Sequence, residues 1–440
     1  MSLTAPPDEG RRAVPSSRNG DNEPRVLGTR SRRALFAEGL LSSGSDVAVP
    51  FLPVYLVVLG ATSAQVGLLA AAAGLAGFVA LLPGAWIARR APSRKWVVVL
   101  GGSGGGRLVL LALAAVPAVL AGHAAVAVVI LLGGLRVLIQ TLSHPAWMAV
   151  FADVVPRRLT GVYQARKSLG ASLVAMALAP AAGWTIGRVG GVEGFQLVFI
   201  ACALMGLAGA YGFSRIIESP RPAEAAQPPA YGKVLRDPVY RRYLLSMLAL
   251  HGSATMAGPF VVVYMVEHVG ASTAQIGLMS TGDALAAVTG LTLVSMLVAR
   301  LSSRRLLVGA LLVNAAVPVL WIGVAAPWQA AFPVLLSGLA WSVIHVAAFN
   351  LLLEQAPEER IPEYVAAQQF AVMGAGVVGP LLGSMIVAGW GMTVLFAISA
   401  AGRLLALGLF SVSVPQALAP VTALNNGVRR IAAMATSSFR

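Results

Sequence analysis

Gly60-Ala-Thr-Ser-Ala-Gln-Val-Gly-Leu68 returns as Gly270-Ala-Ser-Thr-Ala-Gln-Ile-Gly-Leu278, 210 residues further along the chain. At the same offset Arg90 matches Arg300, and Arg94-Lys95 matches Arg304-Arg305. Just upstream the offset is 209, where Pro50, Phe51 and Tyr55 match Pro259, Phe260 and Tyr264. Further on it falls to 201, where His144, Asp153, Pro156 and Tyr163 match His345, Glu354, Pro357 and Tyr364. Because sparse residue types agree together with the apolar background, the chain is two copies of one unit.

Each copy is too apolar to be soluble. Of 440 residues, 57% are hydrophobic and 11% charged, with a mean hydropathy of +0.79, where a soluble globule carries about 25% charge. Apolar runs of the roughly 20 residues that a spanning helix needs recur between short polar breaks. Strand alternation is absent, which removes a β-barrel. The expected fold is an all-α membrane protein with about twelve transmembrane helices in two pseudo-symmetric six-helix bundles. We place the spans at 34–59, 64–88, 96–120, 123–151, 161–187, 195–215, 243–267, 274–299, 305–325, 329–354, 363–388 and 391–414.

The domain reading follows. Residues 1–33 are polar, rich in Pro, Ser, Gly and Arg, and read as a disordered tail. The N-terminal bundle covers 34–215, a Pro-rich linker 216–240, the C-terminal bundle 241–414 and a second tail 415–440. No cleavable signal peptide is expected, since the first span would itself direct insertion. Basic residues cluster on alternate loops, at Arg30 to Arg33, Arg89 to Lys95, Arg157 to Lys167, Arg215 to Arg242, Arg300 to Arg305 and Arg429-Arg430. Both termini are therefore expected in the cytoplasm of a multi-pass protein of the inner (plasma) membrane. The net charge of +15 is accounted for by those loops, and no nucleic-acid partner is expected.

Other function classes lack their signatures. There is no Gly-x-x-x-x-Gly-Lys-Ser/Thr loop and no His-Glu-x-x-His, and the Gly-Gly-Ser-Gly-Gly run at Gly101 to Gly105 lies inside an apolar span, where it reads as helix packing, so neither ATP hydrolysis nor enzymatic chemistry is indicated. The single Cys202 excludes a disulfide framework and a thiol metal cluster; no metal or cofactor is expected. Two parallel six-span halves with sites at their interface are a transporter architecture.

Over residues 34–414 the chain resembles the major facilitator superfamily. Gly84-Ala-Trp-Ile-Ala-Arg89-Arg90-Ala-Pro-Ser-Arg94-Lys95 is similar to the family's cytoplasmic loop motif, with Ala88 or Arg90 standing where the family has Asp. Arg136-Val-Leu-Ile-Gln140-Thr141 is similar to the fourth-span motif of its proton-coupled drug exporters. Ala179-Pro180-Ala-Ala-Gly183 and Gly379-Pro380-Leu-Leu-Gly383 keep part of the exporters' fifth-span motif. The resemblance implies an antiporter that couples efflux of a drug-like compound or metabolite to protons. Proton-coupled import of a nutrient is the alternative. The expected partners are a small-molecule substrate, protons and the bilayer, with the chain a monomer.

Ionisable residues inside spans are the site candidates, because a charge at the bilayer centre costs roughly 2.5–3.5 kcal/mol or more. The first span rises and the fourth returns, so height follows from about 1.5 Å per residue. Asp46 and Arg136 lie near mid-span; Glu38 and His144 each lie eight residues, about 12 Å, nearer the cytoplasm. Two tiers are expected, Asp46 with Arg136 and Glu38 with His144. An arginine neighbour favours an ionised carboxylate, whereas a neutral histidine in a dry wall favours a protonated one, so protons moving among these groups would couple transport to the gradient. A structural Asp46–Arg136 pair and a wetted Glu38 at headgroup level are the alternatives.

Gln140 joins this set, and His251, Asp283, His345 and Asn350 are the polar candidates of the second half. Arg107 and Arg403 fall on spans peripheral in this family, where snorkelling or a local partner is expected. Gating roles between the halves are assigned to Arg94, Lys95, Asp153, Pro180, Arg304, Arg305, Glu354 and Pro380, with helix packing an alternative for the two prolines.

Overall fold

A computed structural model of the protein describes residues 29–155, 160–218, 234, 236–297, 301–357 and 360–413. The two tails short of Thr29 and beyond Ser413, and most of the linker, lie outside the described residues, as do Arg157, Arg158 and Arg300. The first half comprises α1 Thr29–Asp46, α2 Leu52–Val58, α3 Ser63–Arg90, α4 Arg94–Leu100, α5 Gly105–Val119, α6 Gly122–Val154, α7 Thr160–Val189 and α8 Gly191–Ser214. The second comprises α9 Pro238–Glu267, α10 Thr273–Leu297, α11 Ser303–Ile322, α12 Ala331–Gln355 and α13 Ile361–Ser413. Among the described residues eleven helical segments are long and apolar enough to cross a membrane, and the last holds two spans joined at Gly391, where φ is 83°. Gly190 joins α7 to α8 in nearly the same conformation, with φ 77°.

The repeated nonapeptide is a helix start used twice. Thr62 and Gln65 form a capping box at α3: the Thr62 N–H donates to Gln65 Oε1 at 2.8 Å, and the Gln65 N–H to Thr62 Oγ1 at 3.4 Å. Ser272 and Gln275 repeat it at α10, at 2.8 and 3.3 Å. Each box satisfies donors that the first helical turn leaves open, and substituting such a cap costs about 1 kcal/mol.

Two spans are broken, and both breaks adjoin the charged residues. The first span stops being α-helical at Asp46 and resumes through a 3-10 turn at Val49–Phe51 into α2, where Pro50 and Pro53 withhold backbone donors. The third breaks between α4 and α5 at Gly101, whose φ of −87° and ψ of −113° are not helical.

The packed core shows how the halves meet. Near Gly60 and Gly270 one apolar cluster runs through both halves, from Tyr55, Val66 and Phe199 to Phe260, Trp321 and Phe396. Toward the end that bears the basic loops it gives way to two separate clusters. One gathers Leu35, Val98, Val150 and Phe213, the other Tyr240, Leu307, Leu352 and Phe410. The halves are thus joined at one end and parted at the basic end.

The joint is built by two crossings related by the repeat, α3 on α13 and α7 on α10. A Cβ placed on Gly74 would lie 2.2 Å from the carbonyl oxygen of Gly376, and one on Gly277 would lie 2.3 Å from that of Ala179. Only glycine lets the backbones approach that closely. Pro380 and Pro180 stand at these crossings, beside Gly67 and Gly277 respectively. Thr281 Oγ1 donates to the Met176 carbonyl at 3.1 Å, and Thr273 Oγ1 to that of Gly183 at 2.8 Å.

At the basic end, Arg94 Nη1 is 4.0 Å from Asp153, and Ser303 Oγ donates to Glu354 at 2.7 Å in the second half. Arg304 reaches the Ser411 carbonyl at 3.0 Å, the Arg305 N–H donates to Ser302 Oγ at 3.5 Å, and Lys95 Nζ lies 5.5 Å over the Trp96 ring. The acid that the α3–α4 loop lacks comes from elsewhere. Glu218, following α8, accepts from Ser93 Oγ at 2.6 Å and from the Arg94 and Lys95 N–H groups at 2.7 and 3.3 Å. It thereby occupies the positive N-terminus of α4.

Candidate functional site

Three charged side chains from three spans converge where α1 ends. Asp46 Oδ1 accepts from Arg136 Nη2 of α6 at 2.5 Å and from Arg107 Nη1 of α5 at 2.7 Å. The guanidinium groups are 5% and 3% exposed, whereas the Asp46 side chain is 49% exposed. Oδ2 accepts from neither arginine. The last carbonyls of α1 disfavour a carboxylate at that position, and the two cations offset this. One anion therefore holds two buried cations and still faces open space. Cys202, buried on α8, lies beside the cluster.

Arg107 was expected to snorkel or find a local partner on a peripheral span, and here it reaches Asp46. The break at Gly101 is the structural reason. After it, Gly106 packs against Gln140, where an added Cβ would be 3.3 Å from Gln140 Cγ, and Arg107 enters the bundle on the adjoining turn. The same default that singled out Asp46, an ionisable group within a span, applied to Arg107 and was the available signal.

Asp46, Arg107, Gln140, His144, Glu38 and Lys167 share a cavity of about 480 Å³. Glu38 is 4% exposed and is held by neutral donors: Ser42 Oγ at 2.8 Å, Ser103 Oγ at 3.1 Å and Trp147 Nε1 at 3.3 Å. His144 reaches this tier through the Trp147 ring, stacked on it at 6.2 Å between centroids, and Lys167 Nζ sits 3.8 Å over the same ring. Trp147, not His144, is the side chain that meets Glu38. Burial at 4% also removes the wetted, headgroup-level position for Glu38.

The second half has its own cavity, of about 490 Å³. His251 packs its ring on Trp341 at 5.1 Å, and Trp341 on His345 at 5.4 Å. Arg403 also lines the cavity and is 6% exposed, so of the two expectations for it a local partner holds and snorkelling does not. Its Nη1 donates to the Asn314 carbonyl and Oδ1, both at 2.9 Å. Asp283 is exposed on α10 and forms no hydrogen bond or ion pair among the described residues; its Oδ1 faces the α12 backbone at Gly338. His345 is exposed and Asn350 half-buried, both on α12 outside the lining of that cavity.

Residues 41–398 match the MFS_1 like family. The chain belongs to that family. Among solved structures it is similar to the nucleoside transporter NupG, at 11% identity and a TM-score of 0.70, with 87% of this chain and 98% of that one covered. It is also similar to a peptide transporter, POT, in complex with sulfate, at 14% identity and a TM-score of 0.70, covering 87% and 93%. A bacterial homologue of the human lysosomal transporter Spinster, inward-facing and occupied, matches at 12% identity and a TM-score of 0.65, covering 87% and 95%. No curated protein sequence matches the chain. At these identities the likeness is one of fold, the major facilitator fold. Family and architecture together make this MFS_1 like protein a multi-pass secondary transporter and not an enzyme.

Proposed function

We propose that the protein moves a small solute by alternating access, coupled to protons through Asp46. The supporting observation is the half-exposed Asp46 carboxylate holding two buried guanidinium groups. While ionised, Asp46 ties α1 to α5 and α6. Protonation removes the charge that the arginines share and loosens three spans at once. With both termini in the cytoplasm of the plasma membrane, the parted end faces inward, and a proton arriving from outside would leave into the cell from this state. Glu38, held by three donors at the inner end of the same cavity, is the next acceptor on that route.

Gln140 and His144 line the path between them, and a single chain holds the whole route. Arg94, Asp153, Arg304, Arg305, Glu354 and Lys95 would meet across the basic end when it closes, with Pro180 and Pro380 flexing at the crossings.

We read the direction as export of a drug-like compound or metabolite, on the partial exporter motifs around Gln140 and Pro180. Import is the second reading, favoured by the nucleoside and peptide transporters among the similar structures. In liposomes, an imposed pH gradient should drive solute movement without sodium or ATP, and Asp46→Asn should abolish accumulation while leaving solute exchange. Accumulation that needs sodium and survives collapse of the pH gradient would overturn the proton assignment.

A further inference from the structure

The two cavities differ in one respect that bears on cargo. In the first half the cations are matched by Asp46 from the chain. In the second half a buried cation stands without an acid: among the described residues no Asp or Glu lines the cavity that Arg403 enters. Arg403 has only the neutral Asn314 as a partner among the described residues, and its Nε has no acceptor. The repeat relates the two sites. At the offset of 209 that relates Pro50 to Pro259, the position of Asp46 corresponds to Thr255, which also lines this cavity. The carboxylate has become a hydroxyl; at the offset of 201, Arg136 corresponds to Ser337 in this cavity and Arg403 to Cys202 beside the first-half cluster, so the cation stands on a different helix.

An uncompensated guanidinium in a low-dielectric wall is costly, and a ligand anion relieves that cost in a way a neutral or cationic ligand cannot. Besides His251, Thr255 and Ser337 the remaining wall is apolar and aromatic, with Pro318, Trp321, Trp341 and Phe396 among its residues. A volume of about 490 Å³ suits a small organic molecule. We infer that this cavity is the substrate subsite and that it takes an amphipathic monoanion, a carboxylate or similar acid group on Arg403 with an apolar or aromatic body against Trp321 and Trp341. The inference rests on the transporter reading and narrows its substrate class away from cations.

The test uses the full-length protein in detergent, with benzoate as probe and benzamide as its neutral counterpart at matched ionic strength. Benzoate should raise the melting temperature and give a measurable titration; benzamide should bind at least about tenfold more weakly, the scale of a lost charge-assisted hydrogen bond. Arg403→Gln should remove the discrimination, and Arg403→Lys should keep part of it. Should Arg403→Gln fail to fold, Thr255→Asp serves in its place: a carboxylate supplied by the chain should abolish benzoate binding. Equal binding of benzoate and benzamide, no binding of either, or benzoate binding undiminished in Thr255→Asp overturns the subsite. Proton-driven solute movement without acid selectivity would sink the subsite and spare the transporter reading. Benzoate binding through Arg403 without any driven movement would do the reverse.

Discussion

Replacing Asp46 by asparagine leaves two guanidinium groups, 3% and 5% exposed, aimed at a neutral amide. Breaking a fully buried pair by removing one partner costs about 3–5 kcal/mol. Asp46 is 49% exposed, so water screens part of the attraction, and about 2 kcal/mol is the reasonable figure. The arginine variants should behave differently. In Arg136→Gln, Asp46 keeps Arg107 at 2.7 Å, and the site passes from two cations on one anion to a neutral pair. The lost hydrogen bond is offset by relief of the Arg107–Arg136 repulsion, for a net change of about 0–1 kcal/mol. Arg107→Gln is the mirror case. Denaturant unfolding of the purified protein should therefore rank Asp46→Asn well below both arginine variants, and the double variant Asp46→Asn with Arg136→Gln should recover part of the loss. If either arginine variant unfolds as readily as Asp46→Asn, the two cations are not sharing one charge and the reasoning fails.

Reporter fusions after Gly60 and after Arg90 should fall on opposite sides of the membrane; finding them on one side overturns the topology. Gly74→Val and Gly277→Val place bulk against carbonyls 2.2 and 2.3 Å from the added Cβ. Both should force the joined end apart, read as faster thiol labelling of a cysteine introduced at Ala70 in a Cys202→Ser background, with unchanged labelling refuting the crossing. Glu218→Gln should cost about 1 kcal/mol by weakening its hold on the N-terminus of α4, and high salt should shrink that difference.

Height was legible in the sequence and azimuth was not. Counting along two helices brought Asp46 level with Arg136, and they do meet, at 2.5 Å. The same count set Glu38 level with His144, yet one turn further along α6 Trp147 points its N–H at Glu38. Which of two neighbours reaches a target depends on rotation about the helix axis, and that is set by packing against other spans. Arg107 was hidden for a related reason, since Gly101 to Gly106 reads as close packing while its conformational break turns α5. Glu218 lies 124 residues from Arg94 in sequence, and no local pattern pairs them. The fold was far more readable, because the nonapeptide at Gly60 and Gly270 is a local device whose capping box depends on four residues.

The seam between the halves is made where glycine lets main chain touch main chain, at Gly74 with Gly376 and at Gly277 with Ala179. At those two contacts no side-chain rotamer must be released before one half rocks on the other; the side-chain ties across the seam, such as Thr273 and Thr281, lie beside them. The friction of this bearing is set there by backbone shape. Gly74 and Gly376 also line the second cavity, so substitutions that re-line it elsewhere leave the bearing untouched, whereas a side chain added at either glycine changes selectivity and motion together.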